Sequence, residues 1–474
     1  MRKMRILFVE PAGSIGNIFS RFMAIPLLGP VYLATIAKIA GYEVAIFNEN
    51  IAGRPIGRDE LEPVDLLCLS CITATVERGK LIADQYRNVR SAAHRSSRVI
   101  IGGIHASMLP QDVASHFDQV VIGEAETQLI DLIEGTLRDP VVNGERLESL
   151  DCLPYPDYSL MGDFGNRRLR PVMTSRGCPF DCNFCSVTKM FGNTYRAQSP
   201  ARVISEIMRL PPGTVFFVDD NFAVDMNRSN ELLDLMISRG FRNKWTAQVR
   251  TNVTHKPEFV AKMKRAGCKV VYVGFESINP QTLKDMNKAQ TVDDIKRSIK
   301  VFHDNSINVH GMFILGNDSD TPEMFRTTAD FSRETSLDFV QYSVLTPLPG
   351  TDVFEKLEKE GRLLHRQWSY YDGLHVTFAP KHMTAKELQQ GMLECFRDFY
   401  SYTNGMTDAL HSLAFGSKAV FQNLYKQVYL RSLYPSFIRF AGKNMVRQWT
   451  KQNQQYLSYL GNSPESALSP AAAV

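Results

Sequence analysis

The loop Thr174-Ser175-Arg176-Gly177-Cys178-Pro179-Phe180-Asp181-Cys182-Asn183-Phe184-Cys185 constrains this chain more than any other stretch. It holds three of the eight cysteines in a C-x3-C-x2-C spacing, directly after the apolar run Pro171-Val172-Met173. A loop this compact can turn three thiolates toward one centre. Structural zinc sites and most iron–sulfur clusters are closed by four protein ligands, so three leave a coordination position open, as a catalytic centre requires. A small zinc loop completed by a distant fourth ligand is the alternative that spacing leaves standing.

The sequence around this loop reads as α/β. Arg5 to Val9, Val44 to Phe47, Leu66 to Leu69, Val99 to Ile101 and Val120 to Ile122 are short apolar strands. Helical stretches at 31–40, 75–91, 108–116 and 125–135 alternate with them, which predicts a parallel sheet covered on both faces. This first domain spans 1–136. Residues 137–170, with Pro140, Pro154, Pro156 and several glycines, read as an ordered linker. Alternation resumes over 171–375 with six candidate strands: 171–174, 215–218, 245–249, 270–273, 309–315 and 339–344. Six are too few for a closed eight-stranded barrel. Residues 376–460 read as helical, and 461–474 as a disordered tail.

In such sheets, ligands sit outside the carboxyl ends of the strands. The segments there are Glu10-Pro11-Ala12-Gly13, Ser70-Cys71-Ile72-Thr73, Gly102-Gly103-Ile104-His105-Ala106 and Gly123-Glu124-Ala125-Glu126. Paired glycines let a large ligand approach the backbone and free amides to bind it. Taken singly, each of these segments is commonly a tight turn.

The three cysteines, with Phe184 before the third, resemble the cluster motif of radical S-adenosylmethionine (SAM) enzymes, and the first domain resembles a cobalamin-binding domain. Together they resemble the cobalamin-binding radical SAM group over roughly residues 3 to 375. The resemblance implies an N-terminal Rossmann-like domain, a partial (β/α)6 barrel and a helical C-terminal extension. It implies a 4Fe-4S cluster on Cys178, Cys182 and Cys185, with SAM on the open iron and its reductive cleavage to a 5'-deoxyadenosyl radical. Phe184, Asp219, Asp220, Arg250, Glu276, Ser277 and Gly316 become candidates for holding SAM. Asp219 or Asp220 would meet its amino group, Arg250 with Asn252 its carboxylate or ribose, and Glu276 its ribose. Gly316 ends the strand that borders the adenine. For Glu276, a core salt bridge with Arg250 is the competing reading. Glu10, Pro11, Ser70, Thr73, Gly102, Gly103, His105, Gly123 and Glu124 become candidates for cobalamin. One departure stands out: Pro11-Ala12-Gly13-Ser14-Ile15-Gly16-Asn17 lacks the Asp-x-His-x-x-Gly motif that supplies a lower axial histidine in many cobalamin domains.

Function follows as an expectation: cobalamin-dependent methylation of an unactivated carbon in a small or amphiphilic substrate. The cobalamin would carry the methyl group, and a second SAM would replenish it. Radical cyclisation, as in anaerobic porphyrin-ring cyclases, is the runner-up, and a non-catalytic cobalamin or iron–sulfur sensor is the alternative from another class. The expected reductant is a flavodoxin or ferredoxin. Eight cysteines in 474 residues are no disulfide scaffold, and reduced thiolates fit the cytoplasm. Cys68, Cys71, Cys152, Cys268 and Cys395 read as buried small hydrophobes.

The net charge of +4 is local: residues 411–464 carry seven Lys and Arg and no Asp or Glu, so the rest sums to −3. Nucleic acid is therefore not an expected partner. The basic, aromatic stretch 411–458 is read either as helices packed on the barrel or as a peripheral contact with an anionic membrane.

Overall fold

The computed structural model describes residues 3–13, 24–164, 167–401 and 442–462. Packing divides the chain into two units. The first comprises Met1–Val224 with Leu348–Lys356 and Gln367–Asp372; the second holds the remainder.

In the first unit, β1 (Arg5–Glu10) is buried along nearly its whole length, as an unbroken apolar run covered on both faces should be. It pairs in parallel with β2 (Glu43–Asn48) on one side and β3 (Leu66–Ser70) on the other. β4 (Val99–Gly102), β5 (Gln119–Ile122) and β6 (Val141–Asn143) extend the sheet in the order β2-β1-β3-β4-β5-β6. The order reverses beside β1, and ligands of open parallel sheets bind at such a reversal. The helix Leu28–Ile39 buries Val31, Tyr32 and Ala34 in one core with Ile6, Phe8 and Leu66. β6 lies in the stretch read from sequence as linker; Val142 is buried there, so the sheet runs past residue 136.

The same unit contains β7 (Leu169–Val172), β8 (Ser175–Arg176), β9 (Arg196–Ala197) and β10 (Thr214–Phe217). β7 and β10 pair in parallel, whereas β8 and β9 form a two-residue antiparallel ladder. The single strand expected over 171–174 therefore ends at Val172. Beyond it the amides of Thr174 and Ser175 donate to a carboxylate, not to a strand.

The second unit carries β11 (Lys244–Val249), β12 (Cys268–Glu276), β13 (Asn308–Leu315) and β14 (Phe339–Val344), each parallel to the next. Helices Pro257–Arg265, Val292–Asp304 and Glu323–Glu334 alternate with them. All six barrel strands expected from sequence are thus present, two in the first unit and four in the second. Burial alternates residue by residue along β13, so one face is sealed and the other is more open. The helix Ala385–Phe399 starts with a Thr384/Glu387 capping box and buries Leu388, Met392, Phe396 and Phe399.

Trp449, in the stretch read either as packed helices or as a membrane contact, is buried edge-on to Phe396 at 5.4 Å, as the packing alternative expects at that residue. Helix Gln454–Asn462 continues into the range read as tail. Residues 402–441, with most of the basic and aromatic side chains of that stretch, lie outside the described residues. No described helix is long and apolar enough to cross a membrane. Of the five remaining cysteines, Cys68, Cys71, Cys268 and Cys395 are buried, but Cys152 is exposed.

Candidate active site

The cysteine loop leaves the sheet through a narrow neck, where Ser175 pairs with Ala197 and Arg176 with Arg196. Gly177 follows at φ +86°, and a Cβ there would lie 2.3 Å from the Thr194 carbonyl oxygen, so the turn into Cys178 requires glycine. Cys182 is buried, while Cys178 and Cys185 are half-buried. The Cys185 N–H donates to the Cys182 carbonyl at 3.0 Å, and helix Ser186–Phe191 starts immediately after. Phe184 is half-buried in this last turn. Burial pushes the Cys185 thiol up to about 11, and the charges of Asp220, Cys182 and Cys178 add to it.

Among the described residues, no three Cys, His, Asp or Glu side chains are grouped closely enough to hold one metal ion. A 4Fe-4S cluster places each thiolate on its own iron and needs no such convergence. Three cysteines on one loop suit that donor set.

Asp219 and Asp220 follow β10, and the structure separates their roles. The Asp219 carboxylate is buried and accepts hydrogen bonds from Thr174 N at 2.6 Å, Thr174 Oγ1 at 2.5 Å and Ser175 N at 2.9 Å. It buttresses the start of the cysteine loop, and these bonds occupy the oxygens that sequence reasoning assigned to an amino group. Asp220 opens toward solvent on the wall of a cavity. Surrounding protein raises its carboxyl to about 6, Asp219 adds to the rise, and a backbone hydrogen bond from Gly177 opposes it.

In the second unit the remaining SAM candidates follow successive strands. Arg250 ends β11 half-buried. Glu276 ends β12 at φ +61° and pairs with the buried Lys288 ammonium at 2.6 Å. The competing reading had paired Glu276 with Arg250; its salt bridge is instead with Lys288, which the chain brings past β12 after helix Pro280–Asp285. The Ser277 hydroxyl accepts the Asn279 N–H at 3.0 Å. Gly316, at φ +94°, donates its N–H to Asp320, and a Cβ there would meet the Leu388 side chain at 2.4 Å.

The cobalamin candidates divide. Ser70, Gly102, Gly103, Gly123 and Glu124 line a cavity of about 450 Å³ at the carboxyl ends of β1, β3, β4 and β5. Its remaining wall is largely apolar: Phe8, Ile25, Leu27, Leu28, Leu33 and Met173. A Cβ on Gly102 would clear its neighbours by 3.9 Å, whereas one on Gly103 would strike the Cys71 carbonyl at 2.5 Å. An apolar slot floored by glycines fits the edge of a large flat ligand.

Glu10, Pro11, Thr73 and His105 are not on that wall. Buried Glu10 accepts the Leu27 N–H at 2.8 Å and so anchors the apolar rim. Burial raises its carboxyl to about 7, opposed by hydrogen bonds from Leu27 and Asn48. Wholly buried His105 turns Nε2 to Asp112 at 3.3 Å and meets Trp368 edge-on at 5.2 Å. Asp112 also accepts from Trp368 and Lys80, so this histidine belongs to a structural latch. Sequence reasoning missed Arg176 and the rim Ile25–Pro30; Arg176 stands beside the first cysteine, a signal that was legible.

Residues 172–332 match the radical SAM superfamily model, and residues 20–133 the B12 binding domain model. Over 388 residues, 78% of this chain and 82% of the other, the sequence is 29% identical to the bacteriochlorophyllide d C-12(1)-methyltransferase of Chlorobaculum tepidum. It is 27% identical over 440 residues, 84% of this chain and 70% of the other, to an anaerobic magnesium-protoporphyrin IX monomethyl ester cyclase of Cereibacter sphaeroides. Among solved structures, the radical S-adenosylmethionine methyltransferase TsrM of Kitasatospora setae, with cobalamin and a 4Fe-4S cluster bound, shares the fold. Its TM-score is 0.59 at 17% identity, covering 76% of this chain and 78% of that one.

Proposed function

The chain belongs to the cobalamin-binding radical SAM proteins, and on that footing we propose that it methylates an unactivated carbon of a small or amphiphilic substrate. One observation carries the reading. The apolar cavity has the strand-end loops of the first sheet on one side. On the other it has Ser175, Arg176, Met190, Phe191 and Asp220, which flank the cysteine loop. A single chamber therefore borders both candidate cofactor stations.

When bound, the cluster with SAM supplies hydrogen-atom abstraction and the corrinoid supplies methyl transfer. The chain's own residues hold and shield these groups. Cys178, Cys182 and Cys185 would ligate the cluster, while Asp219 fixes the strand from which they depart. Ser70, Gly102 and Gly123 would border the corrinoid, and the apolar rim would exclude water from reactive carbon. Arg250, Glu276, Ser277 and Gly316 remain the candidates for SAM in the second unit. Reducing equivalents would come from a small electron-transfer protein such as a flavodoxin or ferredoxin.

An amphiphilic substrate agrees with the apolar wall and with the bacteriochlorophyllide methyltransferase relative. The reading extends to a cytoplasmic protein touching an anionic membrane through the 411–458 stretch. It is supported by seven basic and no acidic residues between 411 and 464, each worth up to about 1 kcal/mol at such a surface. Cyclisation is the second reading, favoured by the Cereibacter relative.

Anaerobic holoprotein, a reductant and methyl-deuterated SAM, incubated with a lipid and pigment extract, tests the choice. Methylation predicts an apolar product carrying the intact deuterated methyl, together with 5'-deoxyadenosine and S-adenosylhomocysteine. Deoxyadenosine with an unlabelled, ring-closed product would establish cyclisation instead.

A further inference from the structure

We propose that Glu124 and Glu126 are positioning residues that clamp the neck of the cysteine loop, holding it at a set distance from the corrinoid cavity. The inference rests on the proposed function in reading that loop as the cluster site. Both glutamates sit on the loop after β5, within the Gly123-Glu124-Ala125-Glu126 run that sequence reasoning gave to cobalamin contact. Their carboxylates instead face the two arginines paired across the neck. Arg176 reaches Glu124 at 3.1 Å and Glu126 at 2.6 Å, and Arg196 grips Glu124 as well. All three acid–arginine contacts are nearly sealed from water.

The Leu147 N–H donates to Glu124 at 3.1 Å, and a Cβ on Gly144 would lie 1.9 Å from the Glu124 carbonyl oxygen. The segment after β6 thus presses directly on the clamp. Burial works to raise the Glu124 carboxyl, but Arg196, Arg176 and the Leu147 amide outweigh it and hold it below the usual range. Two negative charges thus fix two positive ones, one on each strand of the neck. The geometry suits a spacer between two cofactor stations more than a ligand.

Hydrogen exchange of the unloaded full-length protein tests the clamp without any cofactor. In E124Q and E126Q, amides of 175–177 and 195–198 should exchange roughly tenfold faster, with those of β1 and β3 unchanged, because charge-assisted bonds are lost only at the neck. In reconstituted protein, the magnetic coupling between reduced cluster and cob(II)alamin should weaken at unchanged iron and corrinoid content, which a merely structural role would not produce. Wild-type exchange at the neck overturns the proposal. So does wild-type coupling in both variants, or global loss of fold and cofactors. If wild type itself takes up no cobalamin, the proposed function fails, and the exchange experiment alone decides the clamp.

Discussion

Replacing Asp219 should damage the cysteine loop before it damages SAM binding. Its carboxylate takes two buried amides and one hydroxyl from Thr174 and Ser175, the residues that lead into the loop. In D219A both amides lose their acceptor. A buried unsatisfied donor costs about 1–3 kcal/mol, and water entering the vacated space recovers part of that, so a net loss of about 2–4 kcal/mol follows for the pair. D219N keeps the oxygen that both amides use and can donate its amide to the Thr174 hydroxyl, so only the charge is lost, at about 1–2 kcal/mol. The assay is urea unfolding of each variant, with iron and sulfide counted after anaerobic reconstitution. Expected is a graded series, wild type above D219N above D219A, in both stability and cluster retention. D220A, whose carboxylate faces the cavity, should leave both unchanged. D219A matching wild type in stability and iron content while SAM affinity falls tenfold would instead make Asp219 a SAM contact.

Four further outcomes are expected. G102L should abolish hydroxocobalamin binding in a spectroscopic titration with little change in melting temperature, because its side chain enters the cavity. G103A should lower the melting temperature, because its Cβ meets the Cys71 backbone. E276A should cost about 3–5 kcal/mol by stranding the buried Lys288 charge, and adding K288M should recover part of it; equal melting points for E276A and wild type would contradict the pairing. Burial raises Glu206 from 4.5 to about 7 in the folded chain, opposed by Arg202. Its stability contribution is therefore least unfavourable below pH 4.5 and worsens as pH rises to 7. E206Q should gain on wild type between pH 5 and pH 8 by up to ~3 kcal/mol in unfolding free energy, and a pH-independent difference would contradict the shift.

Most of the longer strands were legible because apolar runs such as Ile6 to Val9 must be buried whatever surrounds them. The cysteine loop was legible because its spacing is local. Partners were not: the salt bridge weighed for Glu276 against a ribose contact was with Arg250, yet the return of the chain after Pro280–Asp285 brings Lys288 to it. His105 was read as a ligand because it follows two glycines. Its orientation is set by Asp112 and by Trp368, 256 residues beyond Asp112, which no local pattern encodes. β6 was hidden because three residues with one buried valine give no periodicity.

The proposed function requires one cavity to serve a corrinoid that passes a methyl group from SAM. Its most direct test needs no substrate. Anaerobic holoprotein is incubated with methyl-deuterated SAM and reductant, and the extracted corrinoid is weighed by mass spectrometry. Methyl transfer at this cavity gives retained cobalamin bearing a deuterated methyl group in wild type, and none retained in G102L. Cobalamin retained by wild type but never labelled, while 5'-deoxyadenosine accumulates, would contradict it.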